Sequence, residues 1–267
     1  MASLLEGSAF VTGAASGIGE QTAYALAKHG ISKLAIADIN LPGLQAVAAK
    51  LREQWPDMEV LALQMDVRKG EQVKGGLAQV VSQFGRLDVA VNNAGVRGKP
   101  GRIHELDESD WDDVLSINLG GVQRCQREEL AIMVNQEDLG MRRGRGSIIN
   151  VSSMYGTVGP QFPIHFTAYT AAKHAVMGIT KADASSYAGT NIRINAICPG
   201  FIETPMIGGN FASQLEGHPL HSHAQNTPLR RLGRPEEIAD SIVFLASPLS
   251  SYVNGFGLVA DGGFSSC

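Results

Sequence analysis

Short apolar runs alternate with amphipathic segments along this chain, and that alternation limits the fold more than any other feature of the sequence. Parallel strands need long crossover connections, usually helices, so the alternation predicts a parallel sheet. Strands are predicted at 9–11, 34–37, 60–63, 87–91 and 147–151, a strand and turn at 195–200, and a closing segment at 258–263. Helices are predicted at 18–29, 41–55, 71–84 and 236–245. We therefore predict an α/β fold, a doubly wound parallel sheet with helices on both faces, as a single domain over residues 1–267.

The first predicted strand runs directly into a glycine-rich turn at 12–19, and a helical pattern follows it. Gly13 permits a tight turn, Gly17 lets the backbone approach a phosphate, and Gly19 lets the helix pack on the strand. A helix N-terminus also offers free N–H groups and a partial positive charge to a pyrophosphate. The turn therefore predicts a Rossmann-like dinucleotide site, with an ordinary glycine-rich βα turn as the alternative.

Polar residues or glycines end four of the predicted strands: Gly13, Asp38, Asp66 and Asn92. In such sheets ligands bind at the carboxyl ends of the strands. Asp38 lies about 20 residues beyond the glycines, where an acid accepts hydrogen bonds from ribose hydroxyls and repels a 2′-phosphate. The alternative role for Asp38 is a helix N-cap. No cation of the neighbouring sequence, including Lys33 and Lys50, is placed to compensate, so the sequence predicts NAD as cofactor.

Tyr169 and Lys173 are four residues apart in an alanine-rich stretch that predicts a helix, so they share one face. A nearby ammonium favours phenolate, so we expect Lys173 to lower the pKa of Tyr169 from about 10. Such a tyrosine can exchange a proton with a substrate hydroxyl or carbonyl. Taken alone, the pair is also typical of an ordinary surface helix.

Two further polar positions accompany this pair. Ser152 and Ser153 follow the fifth predicted strand and reach the same sheet edge. Asn118 lies in a predicted helix beside Gly120 and Gly121, which indicates a kink or a functional polar group, with a solvent-facing amide as the alternative.

Together these residues resemble the short-chain dehydrogenase/reductase family over essentially the whole chain. The resemblance implies a catalytic set of Asn118, Ser153, Tyr169 and Lys173. Tyr169 would be the acid/base, Lys173 would lower its pKa and bind the nicotinamide ribose, and Ser153 would hydrogen-bond the reacting oxygen. Asn118 would support a water-linked proton path. Sixteen positions separate Ser153 from Tyr169, about three more than the family usually has, and the extra residues fall within 161–166.

The resemblance and the strand ends also predict the residues of the binding sites. The predicted cofactor-binding residues are Gly13, Ser16, Gly17, Ile18, Gly19, Asp38, Asp66, Val67, Asn92, Ala94, Gly95, Tyr169, Lys173, Pro199, Gly200, Ile202 and Thr204. The predicted substrate-binding residues are Ser153, Tyr155, Phe162, Tyr169 and Met206. Because apolar side chains dominate around the predicted pocket, we expect a hydrophobic, ring-containing substrate.

Composition narrows the partners of the chain. The net charge is −4 and there is no basic stripe, so neither nucleic acid nor an anionic membrane is an expected partner. No signal peptide or spanning segment is evident. Cys125, Cys198 and Cys267 are interpreted as reduced thiols in a cytoplasmic protein. The resemblance also implies that the chain forms a homo-oligomer, which in this family is usually a tetramer.

Residues 204–228 are predicted to form a lid over the substrate. Three histidines within it, His218, His221 and His223, could bind a metal, but they have no clear carboxylate partner. We therefore predict no metal.

The leading hypothesis is an NAD-dependent oxidoreductase that transfers a hydride between the cofactor and a secondary alcohol or ketone. One alternative is a non-catalytic dinucleotide-binding regulator. Another is an epimerase or dehydratase on the same fold.

Overall fold

A computed structural model describes residues 3–207 and 227–266 of the protein. The strands in these ranges are β1 (Ser8–Thr12), β2 (Lys33–Asp38), β3 (Glu59–Gln64), β4 (Val89–Asn92), β5 (Gly146–Val151), β6 (Ile192–Pro199) and β7 (Gly257–Ala260). These seven described strands form one parallel sheet in the order β3-β2-β1-β4-β5-β6-β7. The chain proceeds outward from β1 to β3 and then returns to the other side of β1. This reversal confirms the doubly wound prediction and leaves a crevice at the carboxyl ends of β1 and β4.

Helices cover both faces of the sheet, as predicted. In the described ranges they are α1 (Gly17–Lys28), α2 (Leu41–Gln54), α3 (Gly70–Phe84), α4 (Glu108–Asn118), α5 (Gly120–Met133), α6 (Thr167–Ser186) and α7 (Pro235–Ala246). None of the helices in the described part of the chain is long and apolar enough to cross a membrane.

The strands bury side chains on both faces, which explains their nearly continuous apolar runs. Val11 and Ile36 pack with α1, α2 and α7 on one face. Phe10 and Ala35 pack with α3 and α5 on the other. Because neighbouring residues of a strand face opposite ways, β1 to β6 each contribute to two core layers and are held in one register.

The segment around Asn118 is not one helix with a polar residue at its centre. The α4 helix ends at Asn118 and α5 begins at Gly120, so the chain changes direction there. The Asn118 side chain is fully buried. The predicted kink is therefore present, and the solvent-facing alternative is wrong.

The sixth strand begins at Ile192, three residues before the predicted start. Arg193 obscured it, since a charged residue interrupts the apolar pattern. Its buried guanidinium donates to the carbonyls of Leu245, Ala246 and Ser247 at the end of α7. Arg193 therefore caps a helix C-terminus from within the sheet.

Candidate active site

A cleft runs along the carboxyl edge of the sheet, where most of the predicted site residues come together. Its larger part is a cavity of about 410 Å³ over the ends of β1 to β4, which we call the wide cavity. The narrow cavity, of about 130 Å³, lies beside β5 and α6. The two share Ile18, Asn93, Gly95, Thr204 and Met206 and therefore form one cleft.

Most of the predicted residues line this cleft. Those on the wide cavity are Gly13, Ser16, Gly17, Ile18, Asp38, Asp66, Val67, Ala94 and Gly95. Those on the narrow cavity are Ser153, Tyr155, Tyr169, Lys173, Pro199, Gly200, Ile202, Thr204 and Met206. Four predicted residues line neither cavity: Gly19, Asn92, Asn118 and Phe162.

The glycine-rich turn leaves space where side chains would stand. Gly13 and Gly17 have φ angles of +65° and +59°, which non-glycine residues rarely adopt. A Cβ atom on Gly17 would lie 3.3 Å from Thr204, across the cleft. A Cβ on Gly19 would lie 2.1 Å from the Gly13 carbonyl oxygen. Gly17 therefore opens the cleft, while Gly19 permits the packing of α1 against the turn instead of lining the cavity.

The segment after β4 is bonded directly to this turn. Asn93 Nδ2 donates to the carbonyls of Thr12 and Gly13, both at 3.0 Å. Thr12 Oγ1 accepts from the backbone N–H groups of Asn93 and Ala94. Sequence reasoning did not assign roles to Thr12 or Asn93, although both adjoin predicted site residues. These bonds fix the two walls of the wide cavity relative to each other.

Asp38 lies at the far end of the wide cavity and its carboxylate is held by backbone. One oxygen accepts from Ala15 N at 3.0 Å, and the other accepts from Asn40 N at 2.9 Å. The N-cap of α2 is Asn40, whose side chain accepts from Gly43 N. The N-cap alternative for Asp38 is therefore wrong, and its carboxylate is positioned at the cavity.

Sequence reasoning overlooked a cation at this end of the cleft. Arg68 lines the wide cavity, and its guanidinium bonds both carboxylate oxygens of Asp66. This pairing lowers the pKa of Asp66. The sequence prediction weighed only cations close to Asp38 along the chain and so did not include Arg68, whose charge is already compensated by an acid of the same cavity wall.

These features fit an adenine dinucleotide. The side-chain-free surface of Gly17 and the N-terminus of α1 suit a pyrophosphate, and the fixed Asp38 carboxylate suits ribose hydroxyls. The cleft continues from there to Tyr169 and Lys173, which suits a dinucleotide whose second ring reaches the narrow cavity.

Tyr169 and Lys173 share one face of α6, as predicted, and both line the narrow cavity, where Lys173 is buried and Tyr169 is half-buried. Lys173 Nζ donates to the Val151 carbonyl at 2.7 Å and lies 5.4 Å from the centroid of the Tyr169 ring. Burial lowers the pKa of Lys173 to about 8. Burial also raises the pKa of Tyr169, and the hydrogen bond with Ser153 opposes that rise only in part.

The predicted lowering of the Tyr169 pKa by Lys173 is therefore wrong for the protein without ligands. The physical reason is that both groups are withdrawn from water, which disfavours phenolate and ammonium alike. The Lys173 ammonium also bonds a backbone carbonyl, so its charge is not directed at the phenol oxygen.

The two serines after β5 point in different directions. Ser152 Oγ donates to the Lys173 carbonyl at 2.9 Å, which holds β5 against α6. Ser153 Oγ accepts from Tyr155 N at 3.1 Å and is hydrogen-bonded to Tyr169. The structure therefore brings Ser153, the predicted residue, to the phenol.

Asn118 lies behind the cleft, and its side chain forms hydrogen bonds with backbone groups. Its Oδ1 accepts from Val96 N at 3.1 Å, and its Nδ2 donates to the carbonyls of Val96 and Val114. A Cβ on Gly95 would lie 2.6 Å from Asn118 Oδ1 and 3.7 Å from Lys173 Nζ. Asn118 therefore fixes the loop after β4 beside the lysine.

Asn92 points away from the cleft into the core. Its Nδ2 donates to Glu129 on α5 and to Asn150 on β5, both at 3.0 Å. Asn150 continues the network to Gln126 and Thr180. The structure does not bring the Asn92 side chain to the cofactor cavity, because alternate residues of β4 face opposite sides of the sheet.

Phe162 was predicted to bind substrate, but the structure places it on the surface with its side chain 81% exposed. Two other residues of the same segment, Ile164 and Phe166, line the narrow cavity instead. The extra residues before α6 form turns, and the facing of a side chain in turns does not follow a simple period.

Most of the predicted lid, including His218, His221 and His223, lies outside the described residues. Its described beginning, from Thr204 to Ile207, borders the narrow cavity. Within the described ranges, no group of three or more His, Cys, Asp or Glu side chains could hold a metal ion.

Comparison with known proteins agrees with this geometry. The family model described as enoyl-(acyl carrier protein) reductase matches residues 13–265. The chain belongs to the short-chain dehydrogenase/reductase family. It is therefore an oxidoreductase of a family that binds a nicotinamide dinucleotide and acts on small molecules.

Several relatives are similar over nearly their whole length. The cis-4-hydroxycyclohexanecarboxylate dehydrogenase of Sinomonas cyclohexanicum is 38% identical over 96% of both chains. The cyclohexanol dehydrogenase of Acinetobacter sp. is 36% identical, over 97% of this chain and 94% of the relative. The crystal structure of levodione reductase aligns with this chain over 98% of each chain, with a TM-score of 0.88 and 37% sequence identity.

Proposed function

We propose that this enzyme is an NAD-preferring dehydrogenase that interconverts secondary alcohols and ketones on hydrophobic, ring-containing compounds. One observation carries the proposal: Ser153 and the half-buried Tyr169 meet in a narrow cavity whose other walls are mainly apolar. Met154, Tyr155, Ile164 and Phe166 supply much of that apolar surface. Apolar walls favour a substrate whose body is an apolar ring.

The proposed chemistry uses the described side chains for the proton. In ketone reduction the Tyr169 phenol gives its proton to the substrate oxygen, while Ser153 Oγ holds the same oxygen in place; in alcohol oxidation the phenolate form of Tyr169 takes that proton back. Lys173, fixed on the Val151 carbonyl, keeps a buried positive charge beside the ring as the phenol titrates. The nicotinamide ring, when bound, exchanges the hydride with the substrate carbon.

A substrate panel tests this proposal. We expect cyclohexanol and substituted cyclohexanols to be oxidised at least about tenfold more efficiently than glycerol or other small polyols, because the mainly apolar walls of the narrow cavity suit an apolar ring better than several hydroxyl groups. The measurement is absorbance of the reduced cofactor, for both directions and both nicotinamide cofactors. A 3-oxoacyl thioester belongs in the panel, since the matching family model is described as an acyl-carrier reductase. Turnover of polyols or thioesters alone would contradict the preference for ring compounds. Isomerisation or dehydration without net hydride exchange would favour the alternative of an epimerase or a dehydratase.

The proposed preference for NAD rests on Asp38. With NADP, a phosphate would meet this carboxylate, and like charges in contact cost several kcal/mol. Arg68 is the cation that could offset the phosphate, but its guanidinium is engaged by Asp66. We therefore expect NAD to be preferred by about tenfold or more in kcat/KM.

Substitution at the end of β2 checks the cofactor prediction. Asp38→Ala combined with Ile39→Arg should narrow or reverse the preference, since Ile39 is exposed at the rim of the wide cavity. The measurement is kcat/KM for each cofactor at saturating substrate. Efficient use of NADPH by the wild-type enzyme would overturn the assignment. If the Arg68→Ala variant then lost the use of NADPH, Arg68 would be identified as the residue that binds the 2′-phosphate.

The proposal also includes a cytoplasmic homo-oligomer, by the family a tetramer. Two buried free thiols, Cys125 and Cys198, suit a reducing compartment. Apolar side chains are exposed around the outer strand β7, including Leu249, Tyr252 and Phe256. Exposed apolar surface beside an edge strand is typical of an interface between subunits.

A further inference from the structure

The narrow cavity contains one charged group that the proposed proton chemistry does not use. Arg97, in the loop after β4, lines this cavity together with Lys173, Tyr169 and Phe166. Lys173 Nζ donates a hydrogen bond to the Val151 carbonyl, near the ring of Tyr169. No Asp or Glu of the described ranges lines the narrow cavity, so Arg97 contributes a positive charge there without a matching acid.

The Arg97 guanidinium is held by an aromatic ring. It lies over Phe166, 5.1 Å from the ring centroid, a cation–π distance. The segment that carries Phe166 is fixed in turn, because Gly101 N donates to the His165 carbonyl at 3.1 Å. Within residues 3–207 and 227–266, the Arg97 guanidinium has no hydrogen bond and no ion pair. Its donors are therefore available to a ligand in the cavity.

A partly buried guanidinium without a counter-ion is unfavourable beside apolar walls, and an anion in bidentate contact would satisfy it. We propose that the substrate carries a carboxylate on its ring, away from the reacting carbon, and that Arg97 binds this carboxylate. The proposal rests on the proposed function, since it assigns the second end of the same substrate. It makes Arg97 the residue that selects ring acids over neutral ring alcohols.

The positions of these residues along the chain are consistent with a cavity that binds the two ends of one ligand at separate groups. Arg97 follows Gly95 by two residues, and Phe166 precedes Tyr169 by three, so the loop and the start of α6 present both groups to one cavity. The reacting oxygen is assigned to Ser153 and Tyr169, which share a hydrogen bond, and the anion to Arg97. A cyclohexane ring joins two such groups with little conformational freedom, which lowers the entropy cost of binding.

The test compares matched ligands on matched variants. We expect wild-type kcat/KM for 4-hydroxycyclohexanecarboxylate, assayed as cis and trans isomers, to exceed that for the uncharged 4-hydroxycyclohexanecarboxamide by about tenfold or more. Arg97→Gln should lose roughly 10- to 100-fold on the acid and less than about threefold on the amide. Arg97→Lys should retain an intermediate preference, because it keeps the charge without the bidentate geometry. Lys99→Gln is the control, since Lys99 is an exposed cation of the same loop that pairs with Asp110.

A binding measurement separates this proposal from the proposed function. Cyclohexanecarboxylate and cyclohexanecarboxamide have no reacting hydroxyl and are titrated calorimetrically into the NAD-saturated protein. Selective binding of the acid that is lost in Arg97→Gln supports the proposal even if neither hydroxy compound is oxidised, in which case only the proposed function fails. Equal binding of acid and amide, or equal losses in Arg97→Gln and Lys99→Gln, would overturn it.

Discussion

Tyr169→Phe is expected to reduce kcat by about 10²- to 10⁴-fold, the range of a lost general acid or base, while leaving the affinity for NADH within about twofold. The substitution removes one oxygen and keeps the ring. That ring packs against the cluster of Met154, Tyr155 and Phe264 and against a second cluster that includes Val114 of α4, so the fold of the site should remain. The oxygen that is lost is the one hydrogen-bonded to Ser153.

Two measurements are needed: turnover with the best alcohol of the panel, and NADH affinity by fluorescence titration. Tyr155→Phe is the matched control because Tyr155 lines the same cavity, and its hydroxyl is buried without a partner among the described residues. Burial raises the pKa of Tyr155 to about 12, and unlike Tyr169 it has no neighbouring group in the described part of the chain that opposes this rise. We expect Tyr155→Phe to keep most of its activity. If both variants lost activity equally, the acid/base role of Tyr169 would have to be abandoned.

Sequence reasoning located the parts of the site that depend on local backbone. Gly13 and Gly17 could be predicted because positive φ angles and close backbone approach require glycine, whatever the rest of the chain does. Asp38 could be predicted because its position at a strand end determines its place in a parallel sheet. The position of Tyr169 beside Lys173 followed from the helical period alone.

The missed residues depend on contacts between distant segments. Arg97 and Arg68 carry charges that look solvated in sequence, and only the fold shows that they line cavities. Phe162 was misplaced because the segment before α6 has no regular period. The pKa of Tyr169 was predicted in the wrong direction because helical spacing gives proximity to Lys173 but not the burial of both groups.

Glu129 is a further residue that sequence reasoning could not identify, and it leads to the second large prediction. Its carboxyl is fully buried between α5 and the sheet. One oxygen accepts from Asn92 Nδ2 at 3.0 Å, and the other has no partner among the described residues. Burial raises the pKa of Glu129 to about 8, so the group is neutral in the folded protein at pH 7. A neutral carboxyl offers a proton, and the buried Asn92 Oδ1 is an acceptor that also lacks a partner.

The direction in which folding stability changes with pH follows from the number of protons that the folded and unfolded states bind. Between the ordinary glutamate pKa near 4.5 and about 8, the folded state keeps a proton that the unfolded state has released. Stability therefore falls as pH rises through this window, by about 1.4 kcal/mol per unit for this group alone. The neighbouring Cys125 thiol does not add to the effect, because burial raises its pKa well above the ordinary value and it stays protonated.

Glu129→Gln should consequently stabilise the protein at pH 8 by an amount on the order of 2–5 kcal/mol and should have little effect near pH 4.5. Glutamine keeps the shape and an acceptor for Asn92 Nδ2, adds a donor for Asn92 Oδ1, and cannot ionise. The measurement is the denaturation midpoint of variant and wild type from pH 4.5 to 8.5, without cofactor and at one protein concentration. Glu128→Gln is the control, since Glu128 is the adjacent acid and its carboxylate pairs with Arg127 nearer the surface. A Glu129→Gln difference that does not grow with pH, or that matches the control, would show that Glu129 is ionised in the folded protein.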